Sequence, residues 1–211
     1  MSIKIKNRDS KIELYKEIDE IKSKKNSLLL SNSSLKDLSH LKTYTIDDED
    51  IFEIDDAISL EKTSSKYKLW IHIASPALHI DYNSTIDKIA RKLTSTIYLS
   101  TNNIYMFPES LINDLFSLTN NEKRGSLSLG VIFNNDGSIS YSEIVQSLIK
   151  PNYQLNYEDA EELIYYAPKE EEDLSIISMM LEKRKSFRKK FGAIEIWRSL
   201  LFPKKNLPED V

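Results

Sequence analysis

The sequence predicts an α+β fold: a mixed, largely antiparallel sheet with packed helices. Three observations carry that prediction. Tyr67–Ala74 and Ser126–Phe133 show the period-two alternation that a strand requires. Asn134–Gly137 contains Asp-Gly, a dipeptide suited to a tight hairpin, and Ser138–Leu148 supplies the returning strand. Helical spacings occupy much of the rest, the longest over Glu170–Phe191.

From the N-terminus, residues 9–25 read as a charged helix with Leu14, Ile18 and Ile21 on one narrow stripe. Residues 31–40 are polar and read as a linker or loop. Thr43–Ile46 and Ala57–Leu60 read as short strands flanking an acidic stretch, and Ser64-Ser65 marks a turn. In Tyr67–Ala74, Leu69, Ile71 and Ile73 share one face, Trp70 and His72 the other. Ser84 has the place of a helix N-cap with Asp87 in capping-box position, ahead of Ile86, Ile89, Ala90 and Leu93 at helical spacing. Pro108 suits the first turn of a helix carrying Leu111, Ile112, Leu115 and Phe116. Asn156 caps a helix through Tyr165. Glu170–Phe191 places acids first, bases last and Gly192 after them. The expected organisation is an N-terminal helix and linker over 1–42 and a larger unit over 43–211.

Bulk properties narrow the function classes. The 211 residues are 40% hydrophobic and 29% charged, the balance of a folded globular protein. No apolar run approaches a membrane span, so no membrane partner is expected. Met1–Arg8 is polar, with no secretory signal read after it, and cysteine is absent, which removes disulfides and zinc–thiolate sites. The expected compartment is the cytoplasm. The net charge of −4 counts against a module that grips nucleic acid by charge alone. It does not count against a metal nuclease, whose carboxylates weigh on the total.

Asp47, Asp48, Glu49, Asp50, Glu53, Asp55 and Asp56 crowd one short stretch. A solvated acidic loop is the default reading of such a run. Here strand-like residues bound it, Ile54 sits inside it, and Asp55-Asp56 leads straight into a strand that would hold both carboxylates. Magnesium takes hard oxygen ligands, a few carboxylates plus water and phosphate, and would relieve the repulsion. A calcium EF-hand loop fails on spacing: with Asp48 and Asp50 as its first ligands, the required glycine falls on Glu53.

These residues resemble a known family, the RNase II/RNase R-type (RNB) exoribonucleases. TIDDEDIFEIDDAISL at Thr45–Leu60 is similar to the family's T-I-D-x-x-x-x-x-D-x-D-D-A-x-S. LWIHIASPALHI at Leu69–Ile80, the set Asp87, Ala90, Arg91, Ser95, Tyr98 and Leu99, MFPESLINDLFSL at Met106–Leu118, the hairpin over Leu127–Ile144, and Gly192-Ala193-Ile194 follow in the family's order. The resemblance implies a processive, magnesium-dependent 3′→5′ exoribonuclease acting on single-stranded RNA. It further implies that Asp47, Glu53, Asp55 and Asp56 hold or orient the metal, that Asp55 is the one most tied to catalysis, and that Tyr98 stacks on a base. Glu53 stands where the family has Asp, Ser75 replaces another aspartate, and Phe116 a cysteine. The family's domain continues to a late arginine-containing segment, so the resemblance implies a C-terminally truncated domain, inactive or impaired as this chain.

Other residues have plainer readings. His72 reads as a packed, hydrogen-bonded strand histidine, and Lys183–Lys190 as a solvated helix face with cations at its C-terminal end. No Gly-rich phosphate loop or Ser-His-Asp arrangement is visible. A non-catalytic RNA-binding remnant or non-functional fragment stands as the alternative, and a plain acidic-loop protein as a third. Oligomeric state is not legible.

Overall fold

The computed structural model describes residues 8–24, 33–49, 51–64, 66–99, 103–119 and 121–195. Among the described residues, seven strands form one mixed sheet in the order β1-β6-β5-β4-β3-β2-β7. They are β1 (Lys36–Asp37), β2 (Thr43–Ile46), β3 (Asp56–Lys62), β4 (Tyr67–Ala74), β5 (Arg124–Phe133), β6 (Ile139–Ile149) and β7 (Tyr153–Leu155). The pairings from β2 through β6 are antiparallel; only the edge pairs β1–β6 and β2–β7 are parallel. The helices are α1 (Arg8–Ser23), α2 (Thr85–Leu93), a short α3 (Glu109–Leu111) running into a π-helical turn over Ile112–Phe116, α4 (Tyr157–Tyr166) and α5 (Glu172–Lys190). This is the α+β arrangement that the sequence predicts.

Local chemistry sets the boundaries. Ser84 accepts the Asp87 N–H (3.2 Å), while Asp87 reaches back to the Asn83 N–H (2.8 Å) instead of to Ser84. Asn156 caps α4 by accepting the Asp159 N–H (2.7 Å). Gly137 and Gly192 both have φ of +85°, which only the β5–β6 turn and the end of α5 demand of them. The stretch read as a linker contains β1, whose two residues pair with Ser147 and Leu148 of β6.

Three apolar clusters support the sheet. Leu14, Ile18 and Ile21 of α1 pack with Ile86 of α2 and with Leu111, Ile112, Leu115 and Phe116. The Glu17 carboxylate adds a cap, accepting the Thr85 N–H at 2.9 Å where the α2 dipole is positive. A second cluster, around Trp70, includes Leu38, Ile54, Ala57, Leu118 and Ile149. A third joins Leu60 and Leu69 to Ile177 of α5. The two faces of β4 differ as its alternation requires, but the Trp70–His72 face is the sealed one. Trp70 and His72 are wholly buried, whereas Ile73 is 47% exposed. Lys68 and Lys36 lie over the Trp70 ring, and Gly130 opposite it has no room for a Cβ, which would come within 2.7 Å of that ring.

Behind Trp70 the sheet buries a polar row. His72 Nε2 lies 2.8 Å from Ser59 Oγ, and Nδ1 lies 2.6 Å from Ser128 Oγ. Ser128 continues the network to Ser126 and Ser147. Burial lowers the His72 pKa to about 4, so the ring is neutral, with one nitrogen donating and the other accepting. His72 is therefore the packed, hydrogen-bonded histidine expected of it.

Candidate metal centre

The acidic segment is held by the sheet on one side and by the π-helical turn on the other. Asp47 follows β2 directly, and its N–H donates to the Leu155 carbonyl (3.1 Å). The β2–β3 register pairs Thr43 with Ser59 and Tyr44 with Ile58. Asp47 lies just past β2 and Asp55 just before β3, near enough for the Asp55 charge to act on Asp47. Asp56 opens β3 opposite Ile73, and the Asp55 carbonyl accepts the Ala74 N–H (2.8 Å).

Ile54, between Glu53 and Asp55, is the fixed point. It is 2% exposed. Its N–H donates to Ser117 Oγ (3.0 Å), and its carbonyl accepts the Leu118 N–H (2.9 Å). Arg124 secures the other partner: Nε donates to the Ser117 carbonyl and Nη2 to Thr119 Oγ1, each at 2.8 Å. A buried guanidinium thus orders the turn that orders the acidic residues.

The carboxylates act on one another. Asp47 is pushed above the usual range by burial, then by the charges of Asp56, Asp55 and Asp48. Asp55 is raised by burial and by Asp56. Glu53 is raised by burial and by Asp55, against a lowering hydrogen bond from Thr96 Oγ1 (3.1 Å). Thr96 also accepts the Met106 N–H (3.2 Å), which ties the acidic segment to the loop after α2. Tyr98 on that loop is 63% exposed. Its hydroxyl is raised by burial, then by Glu53, Asp55 and Tyr105, so the ring stands in the field of the same acids. Asp50 lies outside the described residues.

Among the described residues, no three His, Cys, Asp or Glu side chains are gathered into a group ready to hold a metal ion. Magnesium does not ask for such a cage. It keeps several waters and takes one or two carboxylates with substrate phosphate. Asp47, Glu53, Asp55 and Asp56 are hard oxygen donors of the type magnesium takes, and their mutual repulsion is what a cation would relieve.

Neither Thr96 nor the Ser117–Arg124 clamp stands out in the sequence, because each acts through a hydrogen bond to a distant segment. The basic stretch Lys183–Lys190 is partly engaged elsewhere: Lys185 and Lys189 pair with Glu195, and Arg184 donates to the Gly137 carbonyl.

Comparison with known proteins places this architecture. The family model described as the RNB domain matches residues 35–207. The chain belongs to the RNB-domain ribonuclease family. It is 38% identical over 176 residues to an uncharacterized ribonuclease of Synechocystis, covering 83% of this chain and 26% of that protein. It is 36% identical over 160 residues to the chloroplastic/mitochondrial ribonuclease II of Arabidopsis thaliana, covering 75% and 20% respectively. Among solved structures, Mycoplasma genitalium RNase R in complex with ribose-methylated single-stranded RNA superposes with a TM-score of 0.71 at 25% identity, over 84% of this chain and 29% of that one. The chain therefore spans a fifth to a quarter of the length of these two curated relatives. No described helix is long and apolar enough to cross a membrane.

Proposed function

We propose that this chain carries the acidic, metal-binding part of the site of a magnesium-dependent 3′→5′ exoribonuclease that hydrolyses single-stranded RNA. The observation that carries the reading is the backbone clamp on Ile54, which holds the flanking Glu53 and Asp55 in place, with the Asp55 charge acting on both Glu53 and Asp47. Among Asp47, Glu53, Asp55 and Asp56, one or two would hold the ion directly with water and a phosphate oxygen, and the others would orient it through that water. Bound there, magnesium would make an attacking water more acidic and stabilise the leaving oxygen. Asp55 is the carboxylate that the family resemblance ties most closely to the reaction. Tyr98 offers a ring to an RNA base without regard to its identity. The cysteine-free composition supports a cytoplasmic setting.

A second reading is RNA binding without turnover. Glu53 favours it, because one added methylene displaces a carboxylate that Thr96 already engages. One experiment separates the two. A 5′-labelled oligoribonucleotide is incubated in magnesium with the chain alone, and again with the remaining RNB segment of a relative supplied alongside. A ladder shortening from the 3′ end, lost in chelator and in Asp55→Asn, supports the nuclease. Retention of the strand without shortening in both mixtures sinks it and leaves the binding reading.

A further inference from the structure

Beside the acidic segment stands an aromatic pair that the reading above does not use. Phe52 directly precedes Glu53 and is 36% exposed. Its ring centroid lies 5.0 Å from that of Tyr105, the planes tilted by 42°. Tyr105 is half-buried, and its hydroxyl accepts from the Asn103 side chain (3.3 Å). The Ile97–Ile104 bridge, with both of its hydrogen bonds at 2.9 Å, fixes the backbone on which Tyr98 and Tyr105 stand. Tyr98 is close enough to Tyr105, Glu53 and Asp55 for each of them to perturb its hydroxyl. Three aromatic rings therefore border the carboxylates, on two loops joined through Thr96.

We propose that the Phe52–Tyr105 pair is a second base-stacking position, receiving one unpaired base of the RNA whose phosphate reaches the carboxylates. The proposal rests on the RNA reading above. The tilt leaves no slot between the two rings, so the base stacks on the open face of Phe52 and Tyr105 supports that ring from behind. A large apolar ring about a third exposed beside an anionic cluster is costly to solvate, and an unpaired base carries the complementary apolar face. Stacking is also blind to base identity, which suits a strand that must pass whatever its sequence. Discrimination is then between a base and no base.

The test uses the full chain in magnesium and a 2′-O-methyl oligoribonucleotide, with a second strand of the same length bearing abasic riboses near its 3′ end. Phe52→Ala should weaken binding of the intact strand about tenfold, the order expected for losing one base–aromatic stack, and leave the abasic strand unaffected. Phe52→Trp should restore affinity, with indole fluorescence quenched by the intact strand only. Equal losses on both strands would make Phe52 a mere staple between two loops and overturn the proposal. Unchanged binding of the intact strand by Phe52→Ala would overturn it while sparing the RNA reading. Failure of the wild-type chain to bind either strand would remove both.

Discussion

Both ring nitrogens of His72 are met by serine hydroxyls in the sealed face of the sheet. Near the start of β3, Asp47, Glu53 and Asp55 are each raised by burial and by neighbouring charge. The two regions share strands β3 and β4. Inside, polarity is matched and adds order; at the rim it is left unmatched. An unmatched charge is destabilising in the free protein and available to a ligand, so stability and binding should respond in opposite senses to changes in the two regions.

The largest expected effects come from unmatching what is matched. Arg124→Met takes the guanidinium donors from the Ser117 carbonyl, which keeps only the Thr119 N–H, and from the Thr119 hydroxyl, and should cost about 2–4 kcal/mol, read as a lowered urea midpoint. His72→Leu orphans Ser59 and interrupts the serine row, costing about 2–3 kcal/mol by the same measurement. Gly130→Ala, which pushes a methyl against the Trp70 ring, should cost about 1–3 kcal/mol. If the rim variant below were as damaging as these, the contrast would be wrong.

Acid should set the two regions against each other. His72 titrates near 4 when folded, against 6.5 in the open chain. Between those values the unfolded state binds a proton that the folded state refuses, so this contribution is complete above about pH 6.5 and falls away as pH drops toward 4. The rim carboxylates have the opposite sign: their folded pKa values are raised, so acid protonates them first in the folded protein and relieves repulsion. Asp55→Asn removes part of that relief and should lose stability more steeply than the wild type as pH falls toward the usual carboxylate range, in unfolding titrations at each pH.

The smallest effect is the most pointed. At neutral pH without metal, Asp55→Asn should be neutral or stabilising by about 0.5–1 kcal/mol, because one member of a repelling set is gone. Millimolar magnesium should raise the melting temperature of the wild type and leave that of the variant unmoved. A wild-type protein indifferent to magnesium would break the contrast at its rim.

How much of this was legible in the sequence depended on range. The bounds of β2 and β4 coincide with the predicted Thr43–Ile46 and Tyr67–Ala74, because alternation and flanking breaks are local signals. β3 extends from Asp56 to Lys62, past the predicted Ala57–Leu60, because the ladder with β4 recruits polar residues that no propensity would choose. β1 was invisible: Lys36-Asp37 has no pattern of its own and is a strand only because β6 is beside it. The site divides likewise. Carboxylate density and family order pointed to Asp47, Glu53, Asp55 and Asp56, and the inward turn of Ile54 was expected from its place among them. The clamp through Ser117 and Arg124 was not, since a hydrogen bond across more than sixty residues leaves no trace in spacing.

The anchoring of the acidic segment also decides where its length can change. Asp47 is tied to Leu155 at one end, and Ile54 is tied to Ser117 and Leu118 at the other. An insertion or deletion between Asp48 and Phe52 leaves both anchors where they are. One between Glu53 and Asp56 displaces Ile54 relative to β3, so that its bonds to Ser117 and Leu118 and the β3–β4 ladder cannot both be kept. Natural and engineered variation in the size of this segment is therefore expected on one side of Ile54 only.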